Sequence, residues 1–163
     1  MFTTHAVLNA SFMKKKAGTV LNVTSTTALE APPFPGEAVY HANKACQEGF
    51  TNALRNELQG SNIRVLALRP GVVATHFHRQ RVQHDDKQYD EFMQGFTPLE
   101  ADEVATQAVW MLEQPLHISV KALDVVPSGK LPDSGACTMA DDGNQAQRSL
   151  TVIDKTWNER QKP

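Results

Sequence analysis

The sequence predicts a parallel α/β sheet with helices on its faces, built from the first 130 of its 163 residues. Three observations carry this. Helix-like and strand-like stretches alternate along the chain, the order that gives parallel strands. The strand-like stretches are short, continuous apolar runs rich in β-branched residues, the mark of strands covered on both sides. Glycine and proline punctuate the boundaries.

The elements follow in order. Residues 5–13 read as a short helix, with Leu8 and Phe12 one turn apart, three lysines after it, and Gly18 as its stop. Thr19-Val20-Leu21-Asn22-Val23-Thr24 is the first strand, and 25–37 is a loop holding Pro32, Pro33, Pro35 and Gly36. A long helix begins near Ala38 or Tyr40 and stops at Gly60, with Ala42, Cys46, Phe50, Ala53, Leu54 and Leu58 as its inner stripe. Ile63-Arg64-Val65-Leu66-Ala67-Leu68 is the second strand, ended by Arg69-Pro70-Gly71. A polar stretch around Asp85, Asp86 and Lys87 contains a short helix up to Gly95. A second long helix starts within Thr97-Pro98-Leu99-Glu100-Ala101-Asp102-Glu103, with acidic residues in its first turn and Val104, Ala108, Met111 and Leu112 facing inward. The run at 122–126 is the third strand.

Beyond residue 130 the composition turns polar and aperiodic, so 131–163 is expected to be a disordered tail. Three strands leave a sheet edge uncovered, a liability that folded proteins usually manage. Part of the sheet is therefore expected to lie outside this sequence.

Composition excludes several classes. Formal net charge is −2, which favours neither nucleic acid nor an acidic membrane surface. No apolar run approaches the ~20 residues of a membrane span. The lysines at 14–16 follow the apolar part of the N-terminal segment, the reverse of a secretory signal. They read as the solvated end of a helix, complementing its dipole. Cys46 and Cys137 fit neither a disulfide framework nor a metal site, and a reducing, cytoplasmic setting is expected. His76, His78 and His84 lack a well-placed further ligand, so no metal is expected.

The chemistry concentrates at Tyr40-His41-Ala42-Asn43-Lys44. Tyr40 and Lys44 are four apart and share a helix face. A phenol ordinarily ionises near pH 10, and a neighbouring ammonium favours its phenolate. Such a pair can move a proton during interconversion of an alcohol and a ketone. Upstream, Asn22-Val23-Thr24-Ser25 ends a buried strand, where α/β sites gather. Downstream, the second strand runs into Pro70-Gly71-Val72-Val73-Ala74-Thr75.

A strand ending in serine, a Y-x-x-x-K helix, and a strand followed by P-G-x-x-x-T, in that order, resemble the short-chain dehydrogenase/reductase family. Residues 96–105 and 123–127 are similar to its sub-group acting on 3-hydroxy acids such as serine and allo-threonine. The resemblance covers roughly residues 4–130. It implies the C-terminal half of a doubly wound, Rossmann-like domain, and an oxidoreductase passing hydride between NADP or NAD, with NADP favoured, and a small hydroxy acid or alcohol. It implies Tyr40 as the catalytic acid/base, Lys44 as its electrostatic helper and holder of the nicotinamide ribose, and Ser25 as the hydroxyl bonded to the substrate oxygen. Thr27 is the rival for that last role, since it has the family's usual spacing from Tyr40; strand position favours Ser25. Pro70, Gly71, the Val73 backbone and Thr75 would border the nicotinamide. The segment 76–96 would form a substrate lid, on which Arg79 or Arg81 could meet a substrate carboxylate. The helix after Tyr40 commonly builds the family's oligomer interface, which implies a homo-oligomer.

The family's G-x-x-x-G-x-G turn, which brings bare backbone to the cofactor pyrophosphate, is not found in these 163 residues. Neither Asn9 nor Asn22 stands where the proton-relay asparagine would. A second reading follows: a non-catalytic, truncated chain that associates with longer relatives.

Overall fold

The computed structural model describes residues 1–32, 36–82 and 84–128; the expected tail at 131–163 lies outside the described residues. Strands β1 (Ala17–Val23), β2 (Asn62–Pro70) and β3 (Ala122–Val125) form one parallel sheet in the order β1-β2-β3. Val20 pairs with Val65, and Leu68 with Leu123. The expected α/β class, the parallel sheet and all three strand positions are as the sequence predicts.

Central β2 is the driest part of the described chain, with Val65, Leu66, Ala67 and Leu68 at most 1% exposed. Its side chains alternate between two layers. Ile63 and Val65 pack with Leu8 and Leu54 on one face. Leu66 and Leu68 pack with Met111 on the other. The unbroken apolar run in the sequence therefore reflects burial on both faces.

The N-terminal segment is helical as α1 (Phe2–Val7), one π turn (Leu8–Phe12) and α2 (Met13–Lys15). Its stop is not Gly18 but Lys16, which takes the left-handed conformation at φ 53°. Gly18 lies within β1, and a Cβ there would stand 2.5 Å from the Phe12 ring. The glycine serves a close helix–strand approach rather than a cap.

Helix α3 (Ala38–Glu57) occupies the predicted place, but its buried face differs. Ala42, Cys46 and Ala53 are exposed, whereas Glu48, Thr51 and Leu54 are buried. Polar anchors set this rotation. The Asn22 amide donates to the Thr51 hydroxyl at 2.8 Å, and Glu48 accepts from Thr24 and Arg69. An apolar-stripe argument cannot see anchors of this kind.

Short helices α4 (His76–Arg81) and α5 (Asp86–Met93) follow β2, then α6 (Ala101–Glu113). Val104, Ala108 and Met111 of α6 face the sheet as predicted, but Leu112 is 43% exposed. One residue on from Met111, it is turned about 100° round the helix. Buried Arg64 of β2 donates to the carbonyls of Leu112, Gln114 and Ile118 at 2.8–3.2 Å, and so satisfies the end of α6.

Candidate active site

The C-terminal ends of the three strands open into a cleft of about 820 Å³. The Thr24 N–H extends β1 beyond its last paired residue by donating to the Leu68 carbonyl at 2.8 Å. The chain then bends, and Ser25 caps a 3-10 turn (Thr26–Ala28). The Ser25 Oγ accepts from the Thr27 N–H at 3.2 Å and from the Thr27 hydroxyl at 2.9 Å, and donates to the Pro70 carbonyl at 3.5 Å. Both hydroxyls line the cleft, with that of Thr27 directed onto Ser25. His41, next to Tyr40, donates through Nδ1 to the Thr27 carbonyl and ties the turn to α3.

Of the residues singled out in the sequence, Ser25, Tyr40, Pro70, Gly71, Val73 and Thr75 line this one cleft. Lys44 does not line it. Its ammonium lies 5.9 Å from the Tyr40 ring centroid and donates to Gln47 at 3.5 Å. Gly71 lets the loop pass close to β3, donating to the Val125 carbonyl at 2.8 Å, and a Cβ on it would meet Val126 at 3.1 Å. Leu99 pins the next residues, donating to the Val72 carbonyl at 3.0 Å and accepting from the Ala74 N–H at 2.7 Å. Between them the Val73 N–H has no hydrogen-bond partner among the described residues. Thr75 caps α4 by accepting from the Phe77 N–H at 3.4 Å.

The stretch expected as a lid, 76–96, carries α4 and α5 and roofs the cleft with rings. Tyr40 and Phe77 have centroids 5.7 Å apart, Phe77 and His78 5.5 Å, and His78 and Phe92 5.4 Å. Burial, and next the charge of Arg81, push His78 down to about 4. At neutral pH it is an uncharged ring, and its Nδ1 lies 3.2 Å from Arg81 Nη1. The two lid arginines part company. Arg79 stacks on Tyr89 at 4.2 Å, pairs with Asp86 and does not line the cleft. Arg81 lines it, with its guanidinium 5.2 Å from the centroids of both Tyr40 and Phe77, and forms a two-pronged pair with Glu37.

Beneath the strand ends lies a second charged group. Arg69 meets Glu48 at 2.5 Å and Asp124 at 3.2 Å, and the Thr24 hydroxyl donates to Glu48 at 3.2 Å. The Arg69 hydrogen bond holds the Glu48 carboxyl below its usual range, against the opposing effect of burial. Sequence reasoning missed Glu37, Glu48 and Asp124. Their partners lie 44, 21 and 55 residues away, so no local spacing advertises them. An acidic residue directly before a helix start was the one legible signal for Glu37.

Residues 1–86, just over half of the sequence, match the family model described as short chain dehydrogenase. Serine 3-dehydrogenase of Agrobacterium fabrum is 33% identical over 113 residues, covering 69% of this chain and 45% of that enzyme. Sulfoacetaldehyde reductase 2 of Chromohalobacter salexigens is 34% identical over 125 residues, covering 77% and 49%. The NADP-dependent 3-hydroxy acid dehydrogenase YdfG of Escherichia coli K12 is 30% identical over 128 residues, covering 78% and 50%. A solved structure described as the closed form of serine dehydrogenase complexed with NADP+ superposes with a TM-score of 0.68 at 30% identity, over 76% of this chain and 49% of that one. The chain thus spans about half the length of the relatives it matches. Ordered strand, helix and loop motifs meeting at one cleft, together with these likenesses, establish that the chain belongs to the short-chain dehydrogenase family.

Proposed function

We propose that this chain carries the catalytic residues of an oxidoreductase that transfers hydride between NADP, or NAD, and a small hydroxy acid or alcohol. The observation that carries the reading is the meeting of the Ser25 and Tyr40 side chains with the Pro70–Gly71–Val73–Thr75 loop around one cleft. NADP is favoured because one relative is named NADP-dependent and a similar serine dehydrogenase was solved with NADP+. The relatives' names also share a chemistry: serine, 3-hydroxy acids and sulfoacetaldehyde are small molecules bearing one acidic group.

The residues present fit a nicotinamide. The unpaired Val73 N–H and the Thr75 hydroxyl border the cleft, where a carboxamide needs a donor and an acceptor. A bound nicotinamide ring supplies or accepts the hydride. As phenolate, Tyr40 takes the proton from the substrate alcohol; as phenol, it gives that proton to the carbonyl oxygen in the reverse direction. The Ser25 hydroxyl, which accepts from Thr27, turns its one proton from the Pro70 carbonyl to that same oxygen. Lys44, with its ammonium 5.9 Å from the Tyr40 ring centroid, assists electrostatically, and it holds the ribose by leaving its contact with Gln47 and turning into the cleft. Arg81 receives the acidic group of the substrate from the lid side. The exposed face of α3 around Ala42, Cys46 and Ala53 makes the homo-oligomer contact, in a cytoplasmic setting.

The test is consumption of reduced nicotinamide cofactor with a panel of small oxo acids and aldehydes. Tyr40→Phe is expected to lower turnover by about 10²–10⁴. Turnover unchanged by that substitution overturns the assignment. With no glycine-rich turn in these residues, NADPH binding by this chain alone is expected to be weak, roughly millimolar. Micromolar binding overturns that expectation. No turnover, combined with tight association to a longer relative, would favour the non-catalytic reading.

A further inference from the structure

We propose that Glu37 is an internal stand-in for the acidic group of the substrate: it occupies the Arg81 fork in the cleft and must be displaced when an anionic substrate binds. The inference rests on the reading of Arg81 as the substrate's anion receptor, and adds what competes for that receptor.

The geometry is that of a filled anion site. The Arg81 Nε and Nη2 donate in parallel to the two Glu37 carboxylate oxygens, the arrangement by which arginine recognises a planar carboxylate. Both side chains are 11% exposed, so water competes little for either partner. The guanidinium stands 5.2 Å from the Tyr40 ring and 5.2 Å from the Phe77 ring, and its Nη1 meets His78. The fork is thus held beside the proton-transferring residue, on a group that lines the cleft. An anion bound there lies beside the Tyr40 ring, in the cleft that Ser25 also lines, which favours part of the reacting molecule over a cofactor phosphate.

Two features mark Glu37 as a movable occupant. It is the N-cap of α3, bonded to that helix through its carbonyl, which accepts the His41 N–H at 2.9 Å, while its side chain makes no cap bond and pairs with Arg81 instead. The pair also joins two segments 44 residues apart, the loop before α3 and the short lid helix α4. Exchanging one carboxylate for another on the same fork conserves the charge-assisted bonds. The exchange would discriminate sharply: a neutral alcohol cannot replace Glu37, whereas a carboxylate or sulfonate can. The cleft would thereby admit acidic substrates and leave the latch closed for others.

The experiment measures binding of 3-hydroxypropanoate to the 163-residue chain by NMR, with isethionate as sulfonate, 1,3-propanediol as neutral analogue and inorganic phosphate as the cofactor-like anion. Glu37→Gln is expected to tighten binding of both organic anions about tenfold, the scale of one charge-assisted contact, and to leave the diol unchanged. In the unmodified chain, the Arg81 Nε–H resonance is expected to move on adding 3-hydroxypropanoate, a readout that does not depend on the variant folding. Equal or weaker anion binding by Glu37→Gln, with binding still lost in Arg81→Gln, overturns the stand-in role while the Arg81 reading survives. Anion binding untouched by Arg81→Gln overturns both. Tightening confined to phosphate overturns the assignment to substrate.

Discussion

Two glutamate–arginine pairs flank the cleft, and they are mounted on different parts of the fold. Glu48 and Arg69 sit on the long helix α3 and on central strand β2, with Asp124 of β3 and Thr24 after β1 completing the group. Every member belongs to an element fixed by apolar packing or by the sheet ladder. Glu37 is the N-cap of α3 and Arg81 ends a six-residue helix; their ion pair, with Arg81 against the Tyr40 and Phe77 rings, links the two segments. Similar chemistry and similar burial therefore serve two ends. The first pair is a floor that cannot move without disturbing the sheet. The second is a latch that can open while the sheet stays intact.

The largest expected effect tests the floor. Glu48→Gln leaves the largely buried Arg69 with only the more exposed Asp124 as a charged partner, and Arg69 Nε already lacks a hydrogen-bond partner among the described residues. Removing one member of a buried pair costs about 3–5 kcal/mol. Urea unfolding should show that loss as a lowered midpoint with an unchanged slope. Glu37→Gln breaks an equally buried pair, yet is expected to lower global stability by only about 1 kcal/mol or less, because the lid can open locally and let Arg81 reach water. Equal losses in the two variants would erase the distinction between floor and latch.

Acid should separate the pairs as well. His78 on the lid is pushed down to about 4 from 6.5 by burial. As pH falls from 6.5 toward 4, the unfolded chain takes up a proton that the folded lid refuses, so stability drops through that window, by about 3 kcal/mol at most. Glu48 behaves differently: its contribution is present above 4.5, its ordinary value, and is lost only as pH falls further through its depressed value. Amide resonances of 76–93 should therefore shift at a higher pH than those of β2. His78→Phe should remove the early transition alone. Simultaneous loss of both regions would show that the lid is part of the floor.

The same contrast explains what the sequence disclosed. The strands were legible because burial on both faces writes itself as an unbroken apolar run, as at 63–68. Tyr40, Ser25 and the 70–75 loop were legible because ordered local motifs carry them. The inner face of α3 was misread because Glu48 and Thr51, not Ala42 and Cys46, turn toward the sheet. A buried carboxylate is tolerable only beside a partner such as Arg69, and that partner is invisible until the chain folds. Glu37 was missed for the same reason. What escaped the sequence is polar pairing across long separations, which is also what distinguishes floor from latch.

The smallest effect concerns a rim held by neither pair. Glu100 is the N-cap of α6, and its side chain and that of Glu103 accept each other's backbone N–H, with Glu103 taking the Glu100 N–H at 2.8 Å. Directly before it, Leu99 bonds to Val72 and Ala74 and so frames the Val73 N–H proposed to meet the cofactor. Losing this cap should cost about 1 kcal/mol, lowering the melting temperature by roughly 2–4 °C for a chain of this size. The consequence should reach the cleft. With α6 frayed at its first turn, Leu99 holds the loop less firmly, and the Val73 amide should exchange faster in Glu100→Ala than in the unmodified chain. Glu100→Ser, which can still accept the first-turn N–H, should restore most of both properties. If Glu100→Ala lowers the melting temperature but leaves Val73 exchange unchanged, the loop is held by β2 and β3 alone, and the rim belongs with the floor.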